Sequence, residues 1–300
     1  MKKVKTVTIG IPAHNEENNI ARLLRDILLQ EGNNFKLDRI IVVCDGCTDG
    51  TADIVNKISA KNKLVKLIND KKRIGKNSRL NQLYKDLRSD IFIAFDADVE
   101  LRNKNVIKNL VEKFNDEKVG LVGGRVKHIS RKTFIGRAML AQEYFWSRVV
   151  LNINKGNNLQ GHTGPVSAAR RDFIENIKIP SNLPDDHFLF LKAIEKNYKY
   201  VYAKNASVYV KVPSTFNDFI NQRTRFLDAG DNVRKYFGKK VDRYYSIPYI
   251  VKAVAYFQAF IKYPFFLPLS LGLISLQKIM MGHYSQYKNR DLWIQVRSSK

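Results

Sequence analysis

Two aspartates separated by one residue, Asp96 and Asp98, follow directly on the apolar run Ile91 to Phe95. Carboxylates at i and i+2 on a strand end can both turn toward one cation once the chain leaves the sheet. Hard divalent ions such as Mg2+ or Mn2+ take oxygen ligands of this kind and bridge to substrate phosphates. Asp-x-Asp also arises by chance in surface loops, so its place after an apolar run is what gives this pair chemical meaning. Asp45 closes another apolar run, Ile40 to Val43, in the same way. There it can accept hydrogen bonds from a base or ribose, with Gly46 and Gly50 allowing close approach. It can equally form an Asx turn capping a helix that starts near Thr51. Pro12-Ala13-His14-Asn15-Glu16 closes a third run, Val7 to Ile11. Glu16 and Glu17 also suit the first turn of a helix, where the dipole favours acids.

Those strand ends need a scaffold, and the first half of the chain supplies one. Helix-spaced apolar residues follow the first run (Ile20, Leu23, Leu24, Ile27, Leu28) and the second (Ile54, Val55, Ile58). Leu64 to Ile68 and Ile91 to Phe95 read as further strands, with a helix around Leu80, Leu83 and Leu87 between them. Strand–helix alternation predicts α/β architecture, a mostly parallel sheet with helices on both faces. Ligands then sit at the carboxyl ends of the strands. From 125 to 165 the sequence is basic and aromatic with few clean strands. Beyond it, a helix is expected around Phe188 to Ile194, strands at Tyr200 to Ala203 and Ala206 to Val210, and a helix carrying Phe216, Phe219 and Ile220.

Composition narrows the partners. The 300 residues hold 44% hydrophobic and 27% charged residues, which excludes wholesale disorder and a polytopic membrane bundle. Lys and Arg number 52 against 28 Asp and Glu, a net charge of +24 that implies an anionic partner. Residues 199–300 carry 17 basic and 5 acidic side chains, so this third is about twice as charge-dense as the rest. It also holds the longest apolar stretch, Tyr244 to Met281, whose uncharged run Tyr263 to Gln277 is shorter than the ~18 to 20 residues that spanning needs. A buried helix pair and an interfacial or re-entrant segment both fit. Basic flanks favour the membrane surface over nucleic acid. Cys44 and Cys47 are the sole cysteines and suit a reducing compartment. Met1 to Thr8 lead into a strand-like run, so no signal peptide is expected and the protein should work on the cytoplasmic side.

The motifs together resemble the family 2 inverting glycosyltransferases, which have the GT-A fold and use nucleotide-diphospho sugars. Pro12 to Glu16 resembles the family's Pro-x-x-Asn-Glu segment, and Cys44 to Thr51 its Asp-Asp-Gly-Ser-x-Asp-Gly-Thr turn. Gly75-Lys76 and Asn81 resemble the Gly-Lys-x-x-x-x-x-Asn stretch, and Asp96-Ala97-Asp98 the Asp-x-Asp. The resemblance implies that Pro12, Ala13, Asn15, Glu16, Asp45, Lys76, Asp96, Ala97 and Arg225 hold the nucleotide-sugar, with Asp45 on uracil or ribose. It implies Mg2+ or Mn2+ on Asp98, with Asp96 on the ribose or on metal-bound water. Lys76 would add charge near the phosphates, or else belong to the solvated run Lys71-Lys72-Arg73.

On the acceptor side, Gly161-His162-Thr163-Gly164-Pro165, with Arg170-Arg171, resembles the small-residue acceptor loop. Pro184-Asp185-Asp186-His187 resembles the Glu-Asp pair whose second carboxylate is the catalytic base, which gives that role to Asp186 and an acceptor-side or capping role to Asp185. Gln222-Arg223-Thr224-Arg225-Phe226 resembles the Gln-x-x-Arg-Trp motif of membrane-associated members. Arg225 would meet the diphosphate, and Gln222 and Phe226 would line the acceptor entrance. Phe226 keeps the ring of the usual Trp and loses its donor.

The implied organisation is a GT-A domain over 1–240, with a nucleotide-sugar half at 1–124 and an acceptor half at 125–240. A helical, apolar and basic membrane-associating segment follows at 241–300. The implied activity is metal-dependent inverting transfer from a UDP-sugar to a hydroxyl of a lipid or cell-envelope glycan, at the cytoplasmic face of the membrane, peripheral or monotopic. A sugar nucleotidyltransferase would need a Gly-rich basic loop after the first strand, and Val7 to Glu16 has none. A degenerate scaffold binding anionic membrane or nucleic acid would gain nothing from clustered carboxylates. Cys44-Asp45-Gly46-Cys47 looks like a redox pair, yet Cys44 ends a strand instead of opening a helix and reads as a small buried apolar residue.

Overall fold

The computed structural model describes residues 4–282 apart from 86, 131 and 225–228. Strands and helices alternate through the first third: β1 (Lys5–Ala13), α1 (Ile20–Leu28), β2 (Phe35–Asp45), α2 (Thr51–Lys61), β3 (Val65–Asp70), α3 (Lys76–Lys85) and β4 (Ile91–Phe95). Next come α4 (Val106–Val111), β5 (Val119–Ile129), α5 (Phe134–Asn152), β6 (Val166–Arg170), α6 (Arg171–Ile174), α7 (Asp185–Glu195) and β7 (Lys199–Lys211). The rest is helical: α8 (Phe216–Thr224), α9 (Ala229–Phe237), α10 (Asp242–Tyr245), α11 (Tyr249–Lys262) and α12 (Phe266–Gly282).

The strands form one seven-stranded sheet in the order β3-β2-β1-β4-β6-β5-β7. β1 runs parallel to β2 and β4, and β2 parallel to β3. β6 runs antiparallel to β4 and β5. This is the mostly parallel α/β sheet that the alternation predicts. Its core shows why the pattern was readable. Ile20, Leu23, Leu24 and Ile27, spaced i, i+3, i+4 and i+7, are all buried on α1. Every residue of β4 is buried, as a strand covered on both faces requires. At the middle of β1, a Cβ on Gly10 would come 2.3 Å from Phe92 Cζ and 2.8 Å from Leu83 Cδ1. Glycine is what lets α3 and β4 close onto that strand.

The topology delivers the chemistry to one edge. Ala13 pairs with Cys44, and Asp45 with Asp70, so the carboxyl ends of β1, β2 and β3 lie side by side. Phe95 pairs with Val166, so the segment entering antiparallel β6 starts where β4 ends.

The structure departs from expectation in several places, α4 and β5 among them. The basic, aromatic stretch after 124 holds the end of β5 and the 19-residue helix α5. Thr133 caps that helix by accepting from the Gly136 N–H at 3.0 Å. Its buried positions are Gly136, Ala138, Met139, Ala141, Gln142 and Val149, so small and polar residues interrupt what would otherwise register as a hydrophobic stripe. β6 was not anticipated, since Val-Ser-Ala-Ala-Arg carries little β-branched bulk. The two strands expected near 200–210 are one, β7, which continues through exposed Lys204 and Asn205.

The described residues of Met1–Lys127 and Gly161–Val210 form one compact unit, and those of His128–Gln160 and Lys211–Lys300 a second. Within the second, Met139, Val212 and Phe219 make one apolar cluster, and Ala141, Ala259 and Leu267 another. Among the described residues, no helix is long and apolar enough to cross a membrane.

Candidate active site

The turn after β2 is organised by its own carboxylate. Asp45 is 5% exposed; its Oδ1 accepts from the backbone N–H of Ile74 at 2.8 Å and from Arg79 Nε at 2.8 Å. Its Oδ2 accepts from the Gly75 N–H at 2.9 Å. Gly46, at φ +65°, lets the turn pass under Arg73, whose backbone nitrogen would stand 3.0 Å from a Cβ there. Asp45 thus closes the turn onto the start of α3. Arg79 itself is 1% exposed; its guanidinium also donates to Asp70 Oδ2, Gln82 Oε1 and the Lys72 carbonyl.

The segment after β1 lies against that turn. His14 Nδ1 donates to the Asp45 carbonyl at 2.8 Å, since a carbonyl can only accept. Asn15, in a left-handed conformation at φ 54°, accepts from the Thr48 N–H at 2.8 Å. Thr51 Oγ1 accepts from the Glu16 N–H at 2.7 Å, and Glu16 Oε2 accepts from Asn19 Nδ2 at 2.8 Å. Pro12 pairs in register with Val43 and Ala13 with Cys44, directly beside Asp45.

Lys76 ties this edge to two further carboxylates. Its Nζ lies 2.7 Å from Asp96 Oδ1 and 3.1 Å from Asp185 Oδ2. Burial works against the ammonium, but Asp185 and Asp96 outweigh it and hold Lys76 firmly protonated. Burial pushes the Asp96 carboxyl up to about 6 against the pull of Lys76, and Asp98 and Asp185 add to the push. The solvated-run reading of Lys76 is therefore excluded. The Asp96 N–H donates to the Pro165 carbonyl at 3.1 Å, and Gly164 sits where a Cβ would come within 3.1 Å of Lys76 Nζ and 3.7 Å of Asp96 Oδ2. Ala97 is buried between the two aspartates.

The loop 161–164 and the start of α7 complete the arrangement. His162 is 1% exposed: its Nδ1 lies 2.8 Å from the Asp186 carbonyl and its Nε2 2.9 Å from Ser167 Oγ. The carbonyl fixes the proton on Nδ1, so Nε2 accepts from the Ser167 hydroxyl. Expected on the acceptor side, the ring is instead an internal support for Asp186, because both nitrogens are spent inside the fold. Burial, outweighing Asp186 and Asp185, holds its pKa below the ordinary 6.5. Thr163 Oγ1 is buried without a hydrogen-bond partner among the described residues, a hydroxyl that a polar ligand can complete. Asp186 is half-buried, and its Oδ1 accepts from the His187 N–H at 2.8 Å. Asp185 opens α7 and is drawn to Lys76; its expected capping is replaced by an ion pair.

Of two asparagines on α3, Asn77 was missed from the sequence and Asn81 was named only as part of a motif, with no role. Asn77 Nδ2 donates to the carbonyls of Pro180 and Leu183, each at 2.7 Å. Asn81 exchanges two bonds with Ile179, each 2.8 Å. Their i, i+4 spacing on one helix face was the available signal. Arg79 was missed too, as a cation beside Leu80 gives no sign of burial. Gln222 lies half-buried on α8, in the second unit; Arg225 and Phe226 lie outside the described residues.

The donor set suits a hard divalent ion: Asp96 and Asp98 offer carboxylate oxygens in a region where Asp185 adds negative charge. Among the described residues no group of three or more His, Cys, Asp or Glu gathers. Two protein carboxylates, with phosphate and water making up the shell, is the ordinary arrangement for Mg2+.

The model of the family described as "Glycosyl transferase family 2" matches residues 8–178, more than half of the chain. The chain belongs to this family. It is 29% identical over 241 residues to the probable glycosyltransferase YdaM of Bacillus subtilis (strain 168), covering 75% of this chain and 55% of that one. It is 22% identical over 238 residues to the poly-beta-1,6-N-acetyl-D-glucosamine synthase of Staphylococcus aureus (strain MSSA476), covering 77% and 56%. The chain thus spans about half the length of these relatives. A mannosyltransferase of Pyrobaculum calidifontis, PcManGT, in complex with GDP-Man and Mn2+, superposes with a TM-score of 0.61 at 19% identity, covering 95% of this chain and 81% of that one. S. aureus TarS 1-349 in complex with UDP superposes at 0.53 and 19% identity, covering 75% and 66%. These likenesses show a GT-A-like fold.

Proposed function

We propose that this chain transfers a sugar from a nucleoside diphospho-sugar to an acceptor hydroxyl with inversion, the donor being a UDP-sugar and the acceptor a lipid or cell-envelope glycan. The observation that carries this is the double ion pair of Lys76. It draws together the end of β4, with its Asp-x-Asp, and the start of α7, with Asp185-Asp186. In this reading the donor half falls within 1–124 and the acceptor half within 125–240. The P. calidifontis and TarS complexes, with GDP-Man and UDP, support a nucleotide-linked donor. The S. aureus synthase, by its name a maker of a polysaccharide, supports a glycan acceptor.

Asp186 takes the proton of the acceptor hydroxyl. The freed oxygen bonds to the anomeric carbon from the face opposite the diphosphate, the bond from that carbon to the phosphate oxygen breaks, and its electron pair leaves with the nucleoside diphosphate. His162, held neutral, fixes the Asp186 backbone so that its carboxylate meets the acceptor. Asp96 and Asp98 would hold Mg2+ or Mn2+, which offsets the charge growing on the departing diphosphate. Lys76 adds a cation at the same edge, and Arg225 is the further candidate for the diphosphate. The Thr163 hydroxyl, buried and unsatisfied by protein, gives the loop 161–164 a hydrogen-bonding group for acceptor or sugar.

Two variants test the reading. Asp186→Asn should keep donor binding, measured by calorimetry with UDP and Mn2+, and lose transfer by about 100-fold or more; transfer at the parent rate would reject Asp186 as the base. Asp98→Ala should weaken Mn2+-dependent UDP binding by about tenfold or more, and unchanged binding would remove the metal from this pair.

A further inference from the structure

Helix α11 carries an apolar face that nothing among the described residues covers. Tyr249, Ile250, Val254, Phe257, Phe260 and Ile261 are 85%, 68%, 42%, 65%, 41% and 66% exposed. At 3.6 residues per turn they occupy a continuous arc of about 140°. Ala255 and Ala259, on the opposite side, are fully buried. That inner side is pinned to α5. Gln258 Oε1 accepts from Arg148 Nε at 2.8 Å, and Lys262 Nζ stands 4.2 Å from the centre of the Tyr144 ring. The helix is therefore held in place by its small residues while its large ones point away, the reverse of a core helix. Phe265, in the turn to α12, extends the patch at 85% exposure.

The charge around this face selects its occupant. The two charged residues of α11, Lys252 and Lys262, are both exposed and stand to either side of the buried alanines, about 60° and 80° beyond the edges of the arc. Between Asp242 and Asp291 the sequence contains no acidic residue. The stretches 128–160 and 211–300 together hold 20 Lys and Arg against 6 Asp and Glu. A second copy placed on this face would bring like charge against like charge. An anionic bilayer surface complements it, with aromatic rings at headgroup level and lysines at the phosphates. Fourteen residues make a helix about 21 Å long, short of the ~30 Å hydrocarbon core, so α11 fits a bilayer lying in its plane.

We propose that α11 is an in-plane anchor that docks the protein on anionic lipid through the arc from Tyr249 to Ile261. The proposal is independent of the catalytic reading, because it is tested without donor or acceptor. The full chain is sedimented with phosphatidylcholine vesicles, with and without phosphatidylglycerol. It should bind the phosphatidylglycerol vesicles and pure phosphatidylcholine far less. The double variant Phe257→Ser/Ile261→Ser removes exposed groups, so it should keep the parent Tm and lose about tenfold or more of its partitioning. Lys252→Glu should weaken binding to the anionic vesicles alone. Absent vesicle binding, binding indifferent to phosphatidylglycerol, or binding untouched by the double variant overturns the proposal. So does light scattering that finds, without lipid, a dimer which the double variant dissociates, since a second copy would then be the occupant.

Discussion

His162 shows how a residue at a candidate active site can matter without touching a ligand. Its ring is buried, neutral and shared between the Asp186 carbonyl and the Ser167 hydroxyl. The folded-state pKa lies below the ordinary 6.5, so folding disfavours the imidazolium. The stability this His contributes is present above pH 6.5 and is lost as pH falls below it toward the folded pKa. Thermal unfolding followed from pH 8 to 5 should show the drop, and His162→Gln should flatten it while lowering stability at pH 8 by about 1 to 3 kcal/mol. A parallel acid dependence in both proteins would place the sensitive group elsewhere. Cys44 and Cys47 are both free thiols, Cys44 buried as its apolar neighbours suggested.

At the scale of elements, α3 and the segment 179–183 form one device. Asn77 and Asn81 satisfy four backbone and side-chain bonds that hold this segment just ahead of Asp185. Asn77→Ala strands the buried Leu183 carbonyl and takes one of two donors from the half-buried Pro180 carbonyl, for a loss of about 1 to 3 kcal/mol. If the segment sets the height of α7, kcat should fall more than UDP affinity; calorimetry beside initial rates separates the two, and an equal fall in both would reduce the role to stability. Much of this was legible beforehand. The strands β1, β2 and β4 and the residues at their ends follow from apolar runs that stop at polar clusters. The partners of Asp45 were not legible, because Arg79 comes from a helix 34 residues away, and only the fold shows that its charge is buried. α5 stayed hidden because glycine, alanines and Gln142 break up its buried face, and β6 because a small-residue strand carries no propensity signal.

For the molecule as a whole, the +24 charge resolves into two densities. Residues 128–160 and 211–300 hold a little over a third of the basic side chains and about a fifth of the acidic ones. Attraction to an anionic surface then has a long-range and a contact part. Raising salt from about 0.1 to about 1 M shortens the Debye length from ~10 to ~3 Å and removes the first part. Vesicle association should fall with salt and level off above zero, since the apolar arc of α11 is insensitive to screening. Complete loss at high salt would show that charge alone holds the protein to lipid.

Helix α3 makes these scales hard to separate. Within six residues it supplies Lys76, Asn77, Arg79 and Asn81, which reach the β4 end, the 179–183 segment, the Asp45 turn and the start of α7. Any substitution that shifts the helix disturbs all of them together, so it offers no route for small independent adjustments. Divergence in what such a chain recognises has to enter instead through parts that this helix does not hold. Lineages sharing this helix should therefore vary around it long before they vary within it.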